Sequence, residues 1–251
     1  HEYCLKRKDH YLSSHASSAI GMIMLSVNQI DEAFKYLEIG FREAKEGGNL
    51  WAKMIITVMF SYVYYITGEK EKSLKFLRRF LRHIETMRLN LLFYPYLAEL
   101  LLAIEKGDLA PLPGFSFERE MAKLTSIRNV SLKGIAFRYL ALWERFRGSD
   151  ERKIQILLGL SSKFLERSGH KIELTKTRLE IAKHHLARGE QKKATKNLRS
   201  VWQITFFRNN IIPDDLRSLM GDQDSSALIV EEIMNTTLEI TKNRDSGKIF
   251  Q

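Results

Sequence analysis

The chain has 251 residues, 44% of them hydrophobic and 10% aromatic, enough apolar material for a buried core and too much for a chain disordered over most of its length. Its single cysteine, Cys4, excludes an internal disulfide framework and suits a reducing compartment, so a cytoplasmic protein is expected. The net charge of +10 favours acidic or phosphate-bearing partners, but cations alternate with Glu and Asp along 70–88 and 171–199 as on solvated helix faces, which makes direct nucleic-acid binding the weaker reading.

The first helix is expected over 7–27, rich in small side chains (Ser13, Ser14, Ala16, Ser17, Ala19, Gly21) that let a neighbour approach closely. A second begins near Ile30, with Asp31 and Glu32 in a first turn where the helix dipole favours acids. Its apolar face is Ala33, Phe34, Leu37 and Phe41, and Gly47-Gly48 ends it. The next pair runs over 50–67 and 70–87, the latter with Leu74, Leu77, Phe80, Leu81 and Ile84 at helical spacing. Two stretches here lack formal charge. Residues 11–30 are too polar for lipid, and 54–68 fall short of the roughly 20 residues that span a bilayer, so no membrane partner is expected.

Pro95 suits the first residue of a helix running to Lys106. Residues 107–116 hold two prolines and two glycines and predict a bend. A shorter helix follows over 117–127, with Ser116 as its N-cap. Further pairs are expected over 130–147 with 150–167, and over 170–188 with 191–207. Pro213 then opens a short helix, 221–226 form a polar break, and a last amphipathic helix covers 227–242. The start at His1 and the apolar Ile249-Phe250 end suggest a segment of a longer protein.

Asn28, Gly68, Gly107, Gly148 and Gly189 stand 39 to 41 residues apart, each closing an apolar helical stretch. Residues that tolerate positive φ, recurring at a fixed period, mark stacked helical hairpins. The fold class expected is therefore all-α, with about five antiparallel helix pairs over 1–210 and a C-terminal connector over 211–251. Ala182, Gly189, Ala194 and Leu198 have the spacing of small and apolar residues in a tetratricopeptide repeat, which the fifth pair resembles. The second pair is similar (Ser61, Tyr64, Gly68, Ser73, Leu77), as is the first (Gly21, Asn28, Ala33, Leu37). The fourth keeps Ala141 and Gly148 but has Lys153 where a small residue belongs. The resemblance implies a right-handed superhelical stack that binds proteins or peptides. The forty-residue pairs resemble the longer repeats of bacterial transcription regulators. The tail from Ile212-Pro-Asp-Asp-Leu-Arg to Asp245-Ser-Gly-Lys is similar to the connector that precedes GAF and sigma-54-dependent activator domains in some of them.

No His-Glu-x-x-His, paired Cys-x-x-Cys, calcium-loop, phosphate-loop or Gly-x-Ser-x-Gly pattern occurs, so no catalytic residue, metal or cofactor is expected. His10 and His15 are five apart and do not share a helix face. Trp51, Trp143 and Trp202 read as core. The resemblance implies that the first helix of each pair lines the inner wall, which gives Tyr62 and Tyr65, then Arg138, Arg145 and Phe146, then Lys176 and Lys183 as the binding groove. Aromatic rings beside cations suit an acidic peptide; the alternative for Tyr62 and Tyr65 is that they pack against the next helix. A self-associating scaffold, in the simplest case a homodimer, is the remaining alternative.

Overall fold

The computed structural model describes residues 9–26, 28–86, 95–204 and 216. Among these residues it is all-α, with ten helices and no strand. They are α1 (His10–Ser26), α2 (Ile30–Glu46), α3 (Leu50–Ile66), α4 (Lys70–Thr86), α5 (Pro95–Glu105), α6 (Phe117–Ser126), α7 (Val130–Phe146), α8 (Glu151–Ser168), α9 (Lys171–Ala187) and α10 (Gln191–Ile204). Cys4, the side chain of Trp202, and the helices expected from Pro213 and over 227–242 lie outside the described residues.

The chain forms two compact units, His1–Thr177 and Arg178–Gln251. In the first, neighbouring helices pack in pairs: α1 with α2, α3 with α4, α5 with α6, α7 with α8. The first helices of successive pairs also touch, α1 with α3, α3 with α5 and α5 with α7, and α2 and α6 each reach the helix that follows them. This is the packing of a helical repeat stack. In the second unit Leu179, Ala182, Leu198, Val201 and Leu216 form one apolar cluster with Leu186 against it.

One backbone device closes every pair. Asn28, Gly68, Gly107, Gly148 and Gly189 have φ of 59°, 84°, 80°, 69° and 72°. At each corner this residue donates its N–H to the carbonyl three residues back, as Gly68 does to Tyr65 at 3.1 Å. The next residue donates to the carbonyl five back, as Glu69 does to Tyr64 at 2.8 Å. The same two bonds recur at Asn28, Gly107, Gly148 and Gly189. They satisfy carbonyls that a helix end otherwise leaves bare. A Cβ on Gly68, Gly107, Gly148 or Gly189 would meet nothing within 4 Å, so glycine stands there for its backbone freedom and not for space.

Space is the issue inside the pairs. A Cβ on Gly21 would lie 2.8 Å from Cδ2 of Leu37, and one on Gly134 would lie 2.5 Å from Cγ of Leu165. These contacts let α1 close on α2 and α7 on α8. Ser61 and Ser73 serve α3 and α4 likewise: both are buried, and the Ser61 hydroxyl donates to the Ser73 carbonyl at 2.9 Å. In the fourth pair Lys153 stays in water, where its Nζ sits 2.6 Å from Glu144 Oε1, and Ile154 takes the buried place beside it.

The core is deepest around α3. Met54, Ile56, Val58, Met59 and Val63 are buried, and Phe34, Phe41, Phe60, Tyr64 and Phe76 form a run of tilted and edge-on ring contacts between α2, α3 and α4. A helix buried all round is apolar all round, which explains the uncharged 54–68 run. No helix among the described residues is long and apolar enough to cross a membrane. The 107–116 connection turns Leu109 and Leu112 inward, and Ser116 accepts from the Arg119 N–H at 3.4 Å to start α6.

Candidate functional site

Where α3, α5, α7 and the start of α9 follow one another, a chain of polar and aromatic side chains runs from layer to layer. Tyr96, in the first turn of α5, donates its hydroxyl to the Met22 carbonyl of α1 at 3.1 Å. Its ring meets that of Tyr62 on α3, with centroids 4.8 Å apart. Tyr62 hydrogen-bonds Glu99 on α5, and Glu99 also accepts from the Tyr139 hydroxyl of α7 at 3.0 Å. The Arg138 guanidinium lies 5.0 Å from the Tyr139 ring centroid. It then joins α9: Nη1 donates to the Glu173 carbonyl at 2.9 Å, and Nη2 is paired with the Glu173 carboxylate. Lys176 closes the run, its Nζ 3.2 Å from the other Glu173 oxygen.

Burial sets the protonation states. Arg138 and Glu173 are each 2% exposed. Burial opposes the Glu173 charge, but the Arg138 guanidinium and the Lys176 ammonium overcome it and hold the carboxyl well below the usual range. Burial likewise opposes the Arg138 charge, and Glu173 restores it with a raised pKa. Burial raises the phenols of Tyr62, Tyr96 and Tyr139, and the Glu99 carboxylate adds to each. These five groups keep one protonation state through neutral pH. Such an arrangement joins one helix to the next.

The sequence-derived groove residues fall into separate places. Tyr62, Arg138 and Lys176 belong to the buried run. Tyr65, at the end of α3, donates its hydroxyl to Asp108 at 3.3 Å, and burial together with that carboxylate pushes its phenol up to about 12. Phe146, at the end of α7, is 53% exposed, and Lys106 sits over its ring at 5.9 Å. Arg145 is half-buried beside it. Lys183 belongs to the second unit and pairs with Glu180 at 3.1 Å. Trp143 is buried with Arg147 stacked over its ring at 4.5 Å, and Trp51 packs half-buried on the α3 core.

Four members of the buried run carried no site expectation: Tyr96, Glu99, Tyr139 and Glu173. A signal was present for two of them. Glu99 and Tyr139 are forty residues apart, near the repeat length, eight and nine residues before Gly107 and Gly148, and so fall in nearly corresponding places of successive layers. Glu173 stands one repeat less five residues beyond Arg138, a spacing that announces nothing by itself. No protein-family model matches this sequence, and no curated protein is significantly similar to it.

Proposed function

We propose that this chain is a non-catalytic protein-interaction and signal-sensing array of tetratricopeptide type, within a bacterial transcription regulator. An acidic protein or peptide docks on the row of first-helix ends formed by Tyr65, Lys106, Arg145 and Phe146. The observation that carries the docking surface is the Phe146 ring. It is a large aromatic left mostly in water, overhung by the Lys106 ammonium and flanked in sequence by Arg145 and Arg147. An exposed ring among cations offers apolar area and carboxylate pairing together, the combination that anchors peptide contacts. The regulatory setting rests on the tail resemblance. Docking biases how one layer sits on the next, and the C-terminal segment passes that bias on.

The test is an acidic-peptide array followed by fluorescence polarisation of any bound peptide, comparing the wild type with Phe146→Ala and Lys106→Glu. Both side chains are exposed, so both variants keep the wild-type melting curve. Binding weakened at least about tenfold, or about 1.4 kcal/mol, supports the surface. Undiminished binding by both sinks it.

A second reading has one observation in its favour. Partial burial, and after it the nearby charges of Arg79 and Arg82 on α4 and Lys53 on α3, hold the His83 imidazole below its usual value, so several cations lie close together there. Phosphate backbones are drawn to such clusters. Affinity for duplex DNA or RNA falling by roughly one power of salt per phosphate contact would establish this alternative.

A further inference from the structure

His10, where α1 begins, meets Glu43 and Glu46, one turn apart where α2 ends. Nδ1 of His10 lies 2.6 Å from Oε2 of Glu43 and 3.3 Å from Oε2 of Glu46. Ligand atoms of the three all fall within 4.8 Å of one another. Cations of the zinc class hold imidazole nitrogen and carboxylate oxygen at about 2.0–2.2 Å, which sets neighbouring ligand atoms roughly 3 Å apart. The 3.3 Å to Glu46 is already of that size, and the 2.6 Å to Glu43 is a direct hydrogen bond that a cation would replace.

Electrostatics supply the independent reason for an occupant. Glu43 and Glu46 stand in the last turn of α2, the negative end of the helix dipole, where a cation such as Lys45 is stabilising and acids are not. Glu43 is also buried, its side chain 7% exposed, and its carboxylate partner is the His10 imidazole. Glu46, 50% exposed, lies beside the buried Glu43, and the same imidazole nitrogen is within reach of both carboxylates. A divalent cation offsets both and leaves the ring neutral to ligate through Nδ1. Ser13, three residues along α1 from His10, carries a buried hydroxyl without a hydrogen-bond partner.

The frame is fixed before any ion arrives. Gly47 lets the start of α1 close on the end of α2: a Cβ there would lie 2.9 Å from the Tyr11 nitrogen and 3.0 Å from the His10 carbonyl carbon. The Asn49 side chain donates to the Tyr11 carbonyl at 3.3 Å and to the Ser14 hydroxyl at 3.0 Å, which locks α1 to the next corner. Ligands held this way need little reorganisation. We infer that His10, Glu43 and Glu46 bind one divalent cation of the zinc, nickel or cobalt class, water completing its shell, and that the ion pins α1 onto α2.

Zn²⁺ titrated by calorimetry into the chelator-treated full chain, with thermal melts run in parallel, decides the matter. The wild type should bind one Zn²⁺ at this site and melt higher in its presence, since a ligand held only by the folded state stabilises it. Glu46→Gln replaces a half-exposed side chain, so its metal-free melt should match the wild type. Its Zn²⁺ affinity should drop at least about tenfold and its melting shift should shrink accordingly. His10→Gln should lower the Zn²⁺ affinity likewise, while its metal-free melt falls because Glu43 loses its buried partner. No Zn²⁺ heat and no melting shift in the wild type would overturn the site. So would an affinity and shift retained in both variants, which would send the ion to other side chains such as Cys4.

Discussion

Replacing Arg138 and Glu173 singly and together by Met tests whether the buried run holds the layers. Glu173→Met strands a guanidinium that is 2% exposed, with the residue-173 carbonyl at 2.9 Å as the acceptor it keeps. Breaking such a pair costs about 3–5 kcal/mol, because an uncompensated charge stays in a low-dielectric interior. Arg138→Met is milder. Glu173 keeps Lys176 at 3.2 Å, and that lysine side chain is 29% exposed, so water reaches the remaining pair. About 2–3 kcal/mol is expected there, the lower part of the range for a lost buried charge partner. The double variant removes both charges and fills the volume with apolar chains, which in other buried pairs is close to neutral.

The two single costs therefore do not add. The double variant should be more stable than their sum by at least about 2 kcal/mol. The measurement is urea denaturation of all four proteins followed by far-UV circular dichroism, with the slope of each transition compared so that a change in cooperativity is seen. Single costs below about 1 kcal/mol, in the range of solvent-screened surface pairs, would refute the reasoning. So would strict additivity.

The corner glycines make a second prediction: Gly68→Ala and Gly189→Ala should each cost about 1–2 kcal/mol, since their positive φ penalises any Cβ although nothing crowds it. Gly68→Asn should cost less than Gly68→Ala, as Asn28 already fills the same corner at φ 59°. Gly134→Ala fails for the opposite reason. Its φ is unremarkable but its methyl would meet Leu165 at 2.5 Å, so about 1–3 kcal/mol is expected, with part of it recovered by trimming Leu165 to Val. The pH dependence has two limbs. Glu173 and Glu144 have depressed pKa values in the folded chain, so their stabilisation is complete above 4.5 and lost as pH falls below it; Arg138→Met should flatten that acid limb. Tyr62, Tyr96 and Tyr139 are raised, so their contribution is complete below 10.0 and lost as pH rises past it, visible as late phenolate absorbance in the folded chain.

Much of the fold was legible because a helix end imposes a chemical demand that few residues meet. A corner that returns two N–H groups to the preceding carbonyls needs one residue at positive φ, and Gly or Asn is the cheapest answer. The helix faces were legible for a similar reason: Leu74, Leu77, Phe80 and Leu81 are apolar at 3.6-residue spacing, and α4 has only one side to bury. The buried run was not legible. Arg138 on a first helix could face a ligand or the next layer, and composition does not distinguish the two. What decides is Glu173, placed by tertiary packing and not by local pattern. The His10–Glu43–Glu46 cluster was hidden in the same way, since spacing rules search one helix face and this cluster spans two.

The corners are alike and the contacts between successive first helices are not, which bears on the proposed docking surface. Each corner repeats the same pair of backbone bonds, so the stack owes its regularity to groups that every residue carries. The inner helices differ layer by layer. Tyr96 and Tyr62 are joined by ring contact, Glu99 and Tyr139 by a hydrogen bond, Arg138 and Glu173 by charge. Each of these contacts occupies polar capacity that a ligand would otherwise use. A partner reaching for Arg138 would have to displace a carboxylate already held by two cations, at a cost comparable to breaking the pair. A partner reaching for Phe146 displaces only water and a lysine side chain 5.9 Å away, and gains the apolar area of a ring. For the proposed docking, the energetics favour the ends of the first helices over their middles.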